Sequence, residues 1–460
     1  MSAKLDLNQL PNKPLWFAQA PSRASLAGSL EADVAIVGAG YTGLWTAYYL
    51  LKSDPSLRVV LIERRKVGFG ASGRNGGWAS AIFPISLPRV AQMYSHSAAL
   101  DLQAAMNHTV DEIGRVLSLE GVDADYAKQG FISLARSAPQ MTRVHAAVQA
   151  SAKFGLPDQW QVLDQAQAAA RVGAQDVRGA LYTPHCALIH PGKLVHGLAG
   201  LVERMGVTIY EESEVTEMAP GLVHTEHGRV SAKFTVRATE AFTSQQRGYS
   251  RFVVPLYSLV LATEPLPLEL RRQLNLDQRL AFNDMRHLRV YGQVTADGRL
   301  VFGGRGAPYK WGSRISDDSD LVDSIHHKIH STMLEFFPAL ADATVTHRWG
   351  GALGVSRDWC PTVSIDRKAR MAWAGNYVGD GVATSNLAGR LLRNLILEQD
   401  EGINNLPLVN HRSPSWEPEP LRWLGVNSGL AAASLSDIEE RFTRRPSCTA
   451  MLLEKLTGAH

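Results

Sequence analysis

The apolar run Asp33-Val-Ala-Ile-Val37 leads directly into Gly38-Ala-Gly-Tyr-Thr-Gly43, and this junction narrows the folds open to the chain more than any other feature. A short unbroken apolar run of this kind is a strand buried on both faces, as in a parallel sheet. Gly38 permits a tight turn out of the strand, Gly40 lets the backbone approach a pyrophosphate, and Gly43 lets the next helix lie close on the strand. That helix is expected over residues 44 to about 52, where Asp54, Pro55 and Ser56 end it. Arg58-Val-Val-Leu-Ile-Glu63 then forms the second strand of a βαβ unit. Glu63 stands twenty residues beyond Gly43, where a carboxylate accepts hydrogen bonds from ribose hydroxyls, while the helix N-terminus attracts phosphates. A Rossmann-type dinucleotide domain follows, with Gly38, Ala39, Gly40, Thr42, Gly43 and Glu63 as cofactor residues.

Glu63 suits the adenosine ribose of FAD or of NAD and argues only against a 2′-phosphate. Two further glycine-rich stretches favour FAD. Gly68-Phe-Gly-Ala-Ser-Gly-Arg-Asn-Gly-Gly77 is rich in small residues and free amides and carries one cation, Arg74, so it can run along a pyrophosphate towards a flavin. Gly375-Asn-Tyr-Val-Gly-Asp-Gly-Val382 stands just before a helix expected to about residue 397, whose N-terminus would stabilise the negative charge of a reduced flavin ring.

Composition excludes other classes. With 47 basic and 44 acidic residues in 460, the net charge of +3 marks neither a nucleic-acid binder nor an acid-seeking surface. Cys186, Cys360 and Cys448 lie too far apart for a disulfide framework or a CxxC pair, which points to a reducing cytoplasm. The start of the chain shows no export signal, and no stretch of about 18 apolar residues marks a membrane span. His326, His327 and His330 share a helical stretch and His185 lies near His190, but neither set has the acid or thiol that would complete a metal site. No metal is expected.

The order of elements predicts an α/β domain joined to an α+β domain, the Rossmann-type FAD-binding domain being interrupted by an antiparallel-sheet substrate domain. Helical spacing recurs over residues 91–119 and 140–172, and His190-Pro-Gly-Lys-Leu194 opens a helix before the strand Val207-Thr-Ile-Tyr210. Strands are expected at 229–237 and 300–302. The expected division is an N-terminal arm over 1–30, an FAD domain from 31–84, 191–245 and 346–414, a substrate domain from 85–190 and 246–345, and an extension over 415–460. The basic run 441–445 reads as a solvated helix face.

With these motifs in order, the chain resembles the D-amino-acid oxidase superfamily of flavoenzymes, on the branch that includes gamma-glutamylputrescine oxidoreductase. The resemblance covers about residues 30–410. It rests on the 34–43 fingerprint, Glu63-Arg64, Gly70-Ala-Ser-Gly-Arg-Asn-Gly-Gly77, His190-Pro-Gly-Lys-Leu-Val195, Val215, Ala238-Thr239, Trp349-Gly-Gly351 and Gly379-Asp-Gly-Val382. It implies hydride transfer from a substrate carbon to flavin N5, giving an imine that water hydrolyses, with oxygen or another acceptor taking the electrons. It also implies FAD contacts from Arg64, Ala71, Ser72, Arg74, Asn75, Gly76, Val215, Ala238, Thr239, Gly379, Asp380, Gly381 and Val382. Some relatives tether FAD through a histidine where Arg74 stands, and others through a cysteine where Ala352 stands; non-covalent FAD is therefore expected, with Cys360 a buried thiol.

For the substrate, a small amine or amino acid, Tyr257, Tyr291, Arg305, Arg348 and Trp349 are the cleft candidates. A substrate carboxylate calls for an arginine, Arg305 or Arg348, whereas a polyamine calls for carboxylates or an aromatic cage. No dedicated catalytic base is required if a neutral amine donates hydride. Two alternatives remain at this point, an NAD-dependent dehydrogenase and a non-catalytic FAD-binding subunit.

Overall fold

A computed structural model describes residues 5, 7, 10–11, 13–17, 21–316 and 318–457. Two eight-stranded sheets dominate it. In the first, Gly28–Val37 lies at the centre, parallel to Gly228–Arg237 on one side and Val59–Ile62 on the other, with Thr208–Tyr210 beyond Val59–Ile62. Met371–Gly375 joins Gly228–Arg237 in parallel, and Thr362–Asp366 closes that edge antiparallel. The hairpin Val215–Ala219 and Leu222–Thr225 branches from Gly228–Arg237. Val34 to Val37 are buried on both faces, which is why the run is apolar without alternation.

The second sheet runs Val345–Val355, Val254–Pro265, Arg299–Arg305, Val290–Val294, Ala281–Asp284, Phe131–Ala135, Gly179–Thr183 and Gln161–Leu163. Its pairs are antiparallel except that of Ala281–Asp284 with Phe131–Ala135. Helix Asp323–Phe336 covers one face, packing Ile329, Met333 and Phe336 against Phe282 and Phe302.

Several expected elements shift. The first helix begins earlier, at Tyr41, and runs to Ser53, because the chain turns helical straight after Gly40. A Cβ on Gly43 would lie 2.0 Å from the Gly38 carbonyl oxygen, so only glycine lets strand and helix meet there. The helical stretch expected over 91–119 divides into Leu87–Met93 and His96–Leu119, the second capped by Ser95 Oγ on Ala98 N at 3.1 Å. The 140–172 stretch is helical only at Ala138–Lys153 and Gln165–Ala169. Gly155, at φ +76°, ends the first helix, and the strand Gln161–Leu163 intervenes.

The expected domain edges also move. Residues 346–355, assigned by sequence to the FAD domain, pair along Val254–Pro265 in the second sheet. Helix His96–Leu119, assigned to the substrate domain, buries Leu102, Met106 and Ile113 in the core of the first sheet beside Leu387 and Leu391. In the expected arm, residues 1–4, 6, 8–9, 12 and 18–20 lie outside the described residues. Trp16 within it is buried and donates Nε1 to the Asn75 carbonyl at 2.8 Å. The extension folds as Leu421–Thr443 and Cys448–Thr457, with residues 458–460 outside the described residues.

Candidate active site

Where the first sheet faces the second, a cavity of about 870 Å³ runs from Val215 and Glu217, past Gly38, Gly40 and Ser72, to Leu353, Gly379 and Ser385. This is within the usual size of a cofactor or ligand site, roughly 300–1,000 Å³. Two helix N-termini open on it, those of Tyr41–Ser53 and Gly381–Leu397, whose first-turn amides have no intrahelical acceptor. Gly38 has φ +108°, and a Cβ there would lie 2.5 Å from the Ala238 carbonyl oxygen, so the crossing of strand ends at this point requires glycine.

At the Val215 end, Glu63 is held by backbone. Its Oε2 accepts from Ala39 N at 2.9 Å and its Oε1 from Arg65 N at 2.9 Å, and burial raises its pKa. Each oxygen keeps a further lone pair for a hydroxyl. Val215, Ala238, Thr239 and Arg64 line the same end, and the Arg64 guanidinium lies 5.2 Å from the Phe242 ring centre. In the middle, Ser72 Oγ accepts from Tyr41 N at 2.8 Å, joining the 68–77 loop to the first helix. Asn75 stitches its own loop, donating to Ser72 O at 2.8 Å and accepting from Gly77 N at 2.8 Å. Thr42 Oγ1 meets Tyr377 Oη at 3.0 Å. Ala71, Ser72 and Asn75 line the cavity, as do Gly38, Gly40, Thr42, Gly379, Gly381 and Val382.

Other expected residues stand back from it. Ala39 serves through its amide to Glu63, and Gly43 serves helix packing. Arg74 turns away, donating to Phe69 O at 2.8 Å, to Asp320 at 2.9 Å and to Gly350 O at 3.0 Å. Gly76 lies under the Tyr291 ring, where a Cβ would be 2.6 Å from a ring carbon. Trp349 is fully buried and donates Nε1 to Arg74 O at 2.9 Å, and Arg348 pairs with Asp323; both are structural partners in this geometry. Tyr291 bonds Ser258 Oγ at 2.8 Å, and Tyr257 neighbours Ser319, Asp320 and Arg74. Ala352 lines the cavity, whereas Cys360 is buried elsewhere with its thiol pKa raised by burial. His326 is buried on its helix, with burial lowering its pKa to about 4, and His190 Nδ1 caps helix Pro191–Arg204 by accepting from Lys193 N at 3.1 Å.

Arg305 lies beside Val378 and Gly379. Its Nη2 donates to Val378 O at 2.5 Å, and a Cβ on Gly379 would come within 3.0 Å of that nitrogen. Arg289 and Asp380 share its electrostatic neighbourhood. Protein surrounds all three deeply, yet Arg289 keeps open surface and Arg305 and Asp380 keep part of theirs, as side chains bordering an internal cleft do. Burial pushes the Asp380 pKa up to about 6, against the opposing pull of Arg305 and Arg289.

Sequence reasoning does not single out Arg289, nor Glu240. Glu240 lines the cavity, with Oε1 accepting from Tyr377 N at 2.8 Å and Oε2 from Gly354 N at 2.8 Å. It thereby ties the 375–381 segment to the second sheet, and a Cβ on Gly354 would lie 2.1 Å from Oε2. Burial raises its pKa to about 7 despite those amide donors. An acid immediately after Ala238-Thr239 was the available signal, but nothing local shows that it meets residues over a hundred positions away.

The cavity fits a dinucleotide: glycine where backbone must approach, two helix N-termini for anionic groups, and an acid at the ribose end. Gamma-glutamylputrescine oxidoreductase of Escherichia coli is 29% identical over 388 residues, covering 82% of this chain and 87% of that protein. Glycine oxidase of Geobacillus kaustophilus is 24% identical, covering 82% of this chain and 95% of its own. The solved glycine oxidase from Geobacillus kaustophilus superposes with a TM-score of 0.69 at 20% identity, covering 83% of this chain and all of that one, which shows a shared fold. No helix among the described residues is long and apolar enough to cross a membrane. The profile of FAD dependent oxidoreductases of the D-amino-acid oxidase type matches residues 33–395, and the chain belongs to that family of FAD enzymes.

Proposed function

We propose that this enzyme oxidises the C–N bond of a small amine that also carries a carboxylate, with FAD held non-covalently. The observation that carries the reading is the trio Arg289, Arg305 and Asp380 beside Gly379, which itself lines the cavity. Two guanidiniums against one carboxylate leave net positive charge in a low-dielectric cleft, which suits a carboxylate and disfavours a polyamine. The names of the relatives, which refer to glutamylated putrescine and glycine, agree with a substrate bearing both groups.

Bound FAD supplies the two-electron sink, taking hydride at N5. The chain's task is placement. Arg305, fixed by its bond to the Val378 carbonyl, would hold the substrate carboxylate, and the N-terminus of Gly381–Leu397 would hold the end of FAD where reduction adds negative charge. The substrate nitrogen must be neutral, because its lone pair forms the C=N bond as the hydride leaves. The imine hydrolyses to a carbonyl compound and ammonia or a shorter amine. Non-covalent binding is supported by Arg74 and Ala352 at the two tethering positions and by the burial of Cys360 away from the cavity.

The test is anaerobic mixing with a panel of amines, amino acids, 2-hydroxy acids and alcohols, following flavin bleaching. Reduction by at least one amine with a carboxylate is expected, at a rate that rises with pH as the bound amine deprotonates. Reduction by a hydroxy acid but by no amine would overturn the reading. Acid precipitation should release FAD into the supernatant; colour retained in the pellet would refute non-covalent binding.

A further inference from the structure

The helices Leu421–Thr443 and Cys448–Thr457 lie beyond residues 33–395, which match the family. One face of Leu421–Thr443 is fixed to the body. Arg422 donates to Ser250 O at 2.7 Å, Ser436 is buried, and Glu440 accepts from Arg143 at 2.6 Å. These anchors prevent the helix from rolling. The opposite face carries Leu421, Leu424, Ser428, Ala431, Leu435 and Ile438, spaced alternately by three and four residues, and every one is exposed. Phe442 continues the row at 81% exposure. Strict three-four alternation is the a/d seam of a coiled coil rather than the broader stripe of a core-facing helix.

We propose that this seam is the interface of a homodimer, in which the helices of two copies pair antiparallel about a two-fold axis between Ser428 and Ala431. In an antiparallel pair each a position meets a d position. The sequence satisfies that rule on itself: Leu421 comes opposite the partner's Ile438, Leu424 opposite the partner's Leu435, and Ser428 opposite the partner's Ala431. Large residues fill the outer layers, and small ones lie at the axis, where Gly425 also lets the backbones approach. The two-fold makes each contact twice.

A second copy fits this face better than a lipid surface does. Interfacial helices carry Lys and Arg along the polar flank. Within Leu421–Thr443 the basic residues are Arg422, which is buried, and Arg441 in the last turn, with Arg444 and Arg445 just beyond it, so the length of the exposed seam has no basic flank.

The holoenzyme should sediment at about twice the 50.2 kDa of one chain across a concentration series. Leu435→Glu with Ile438→Glu should halve that mass while leaving FAD content and flavin reduction unchanged. To read the register, Ser428→Cys with Ala431→Cys is made in a Cys448→Ser background, since Cys448 is an exposed thiol. Oxidation should link two chains, and reduction should release them. A wild-type mass of one chain, or a dimer that survives the double glutamate variant, would overturn the proposal. So would a monomer that binds phosphatidylglycerol vesicles through this face. Dissociation by glutamate without cross-linking at the cysteines overturns the antiparallel register.

Discussion

Around Gly38, Glu63 and Ser72 the cavity is built from one short stretch of chain, whereas beside Gly379 a cluster of charges, Arg289, Arg305 and Asp380, is supplied by later segments. Gly38, Gly40, Glu63 and Ser72 fall within 35 residues of chain, where Glu63 accepts from Ala39 N and Arg65 N and Ser72 Oγ accepts from Tyr41 N. Arg289 and Arg305 are neighbours across one hairpin of the second sheet, Arg305 N donating to Arg289 O at 3.0 Å, and Asp380 joins them because the 375–381 segment lies against that sheet. On the proposed reading the first recognises what all FAD molecules share, and the second sets which substrate is accepted through the balance of its charges.

The comparison is broken most severely at Gly40. A Cβ there would sit 2.9 Å from Ser72 Oγ, so Gly40→Val should yield colourless protein with near-zero FAD content by absorbance, whatever the substrate side does. Normal FAD content would remove the fingerprint from its assigned role. At the other end, Arg305→Met should keep the FAD but lower kcat/KM for a carboxylate-bearing amine by roughly 10²–10³-fold, the order expected for losing a buried charge partner. An equal loss with an amine lacking a carboxylate would show that Arg305 does not read that group.

Glu240 joins the two ends, so it sharpens the contrast. Glu240→Gln sets an amide donor against a backbone N–H and should cost about 1–3 kcal/mol in stability, read as a lower Tm. The pH dependence has a definite sign. Because burial raises the Glu240 pKa from 4.5 to about 7, the folded state holds the proton more tightly than the unfolded chain does. Its contribution is fully present below pH 4.5 and is lost as pH rises through about 7. The glutamine variant should flatten that part of the stability profile; an unchanged slope would assign the effect to other groups.

Asp380 should act on binding more gently. Below about pH 6 it is protonated and ceases to offset Arg305 and Arg289, so KM for a carboxylate substrate should fall on acidification. Asp380→Asn should lower KM at neutral pH by about 3–10-fold, corresponding to roughly 1 kcal/mol, and remove this limb. A KM that keeps its full pH dependence in the variant would locate the titration elsewhere. The smallest effect is expected at Arg64, partly exposed and 3.5 Å from Glu214. Arg64→Ala should change FAD affinity by less than about fivefold, measured by titration of apoprotein; a larger loss would make the Phe242 stack part of the adenosine site.

The first βαβ unit and its glycine turn are legible along the chain. The strand, three glycines, helix and acid lie close along the chain, and their spacing reports their geometry because a βαβ unit is built from neighbours. The sequence also showed that Arg305 is a candidate. What only the tertiary structure decided is where charges find partners. Arg74 reads as a cation for the cofactor, yet it spends its charge on Asp320, 246 residues away. Arg348 and Trp349, read as cleft candidates, are likewise claimed by Asp323 and by the Arg74 carbonyl. Glu240 gains its place by accepting from Gly354 N and Tyr377 N, each more than a hundred residues away, and residues 346–355 join the second sheet because they pair with Val254–Pro265. Backbone motifs are legible because their partners are local; the fate of a buried charge depends on which distant element is folded against it, and no local spacing encodes that.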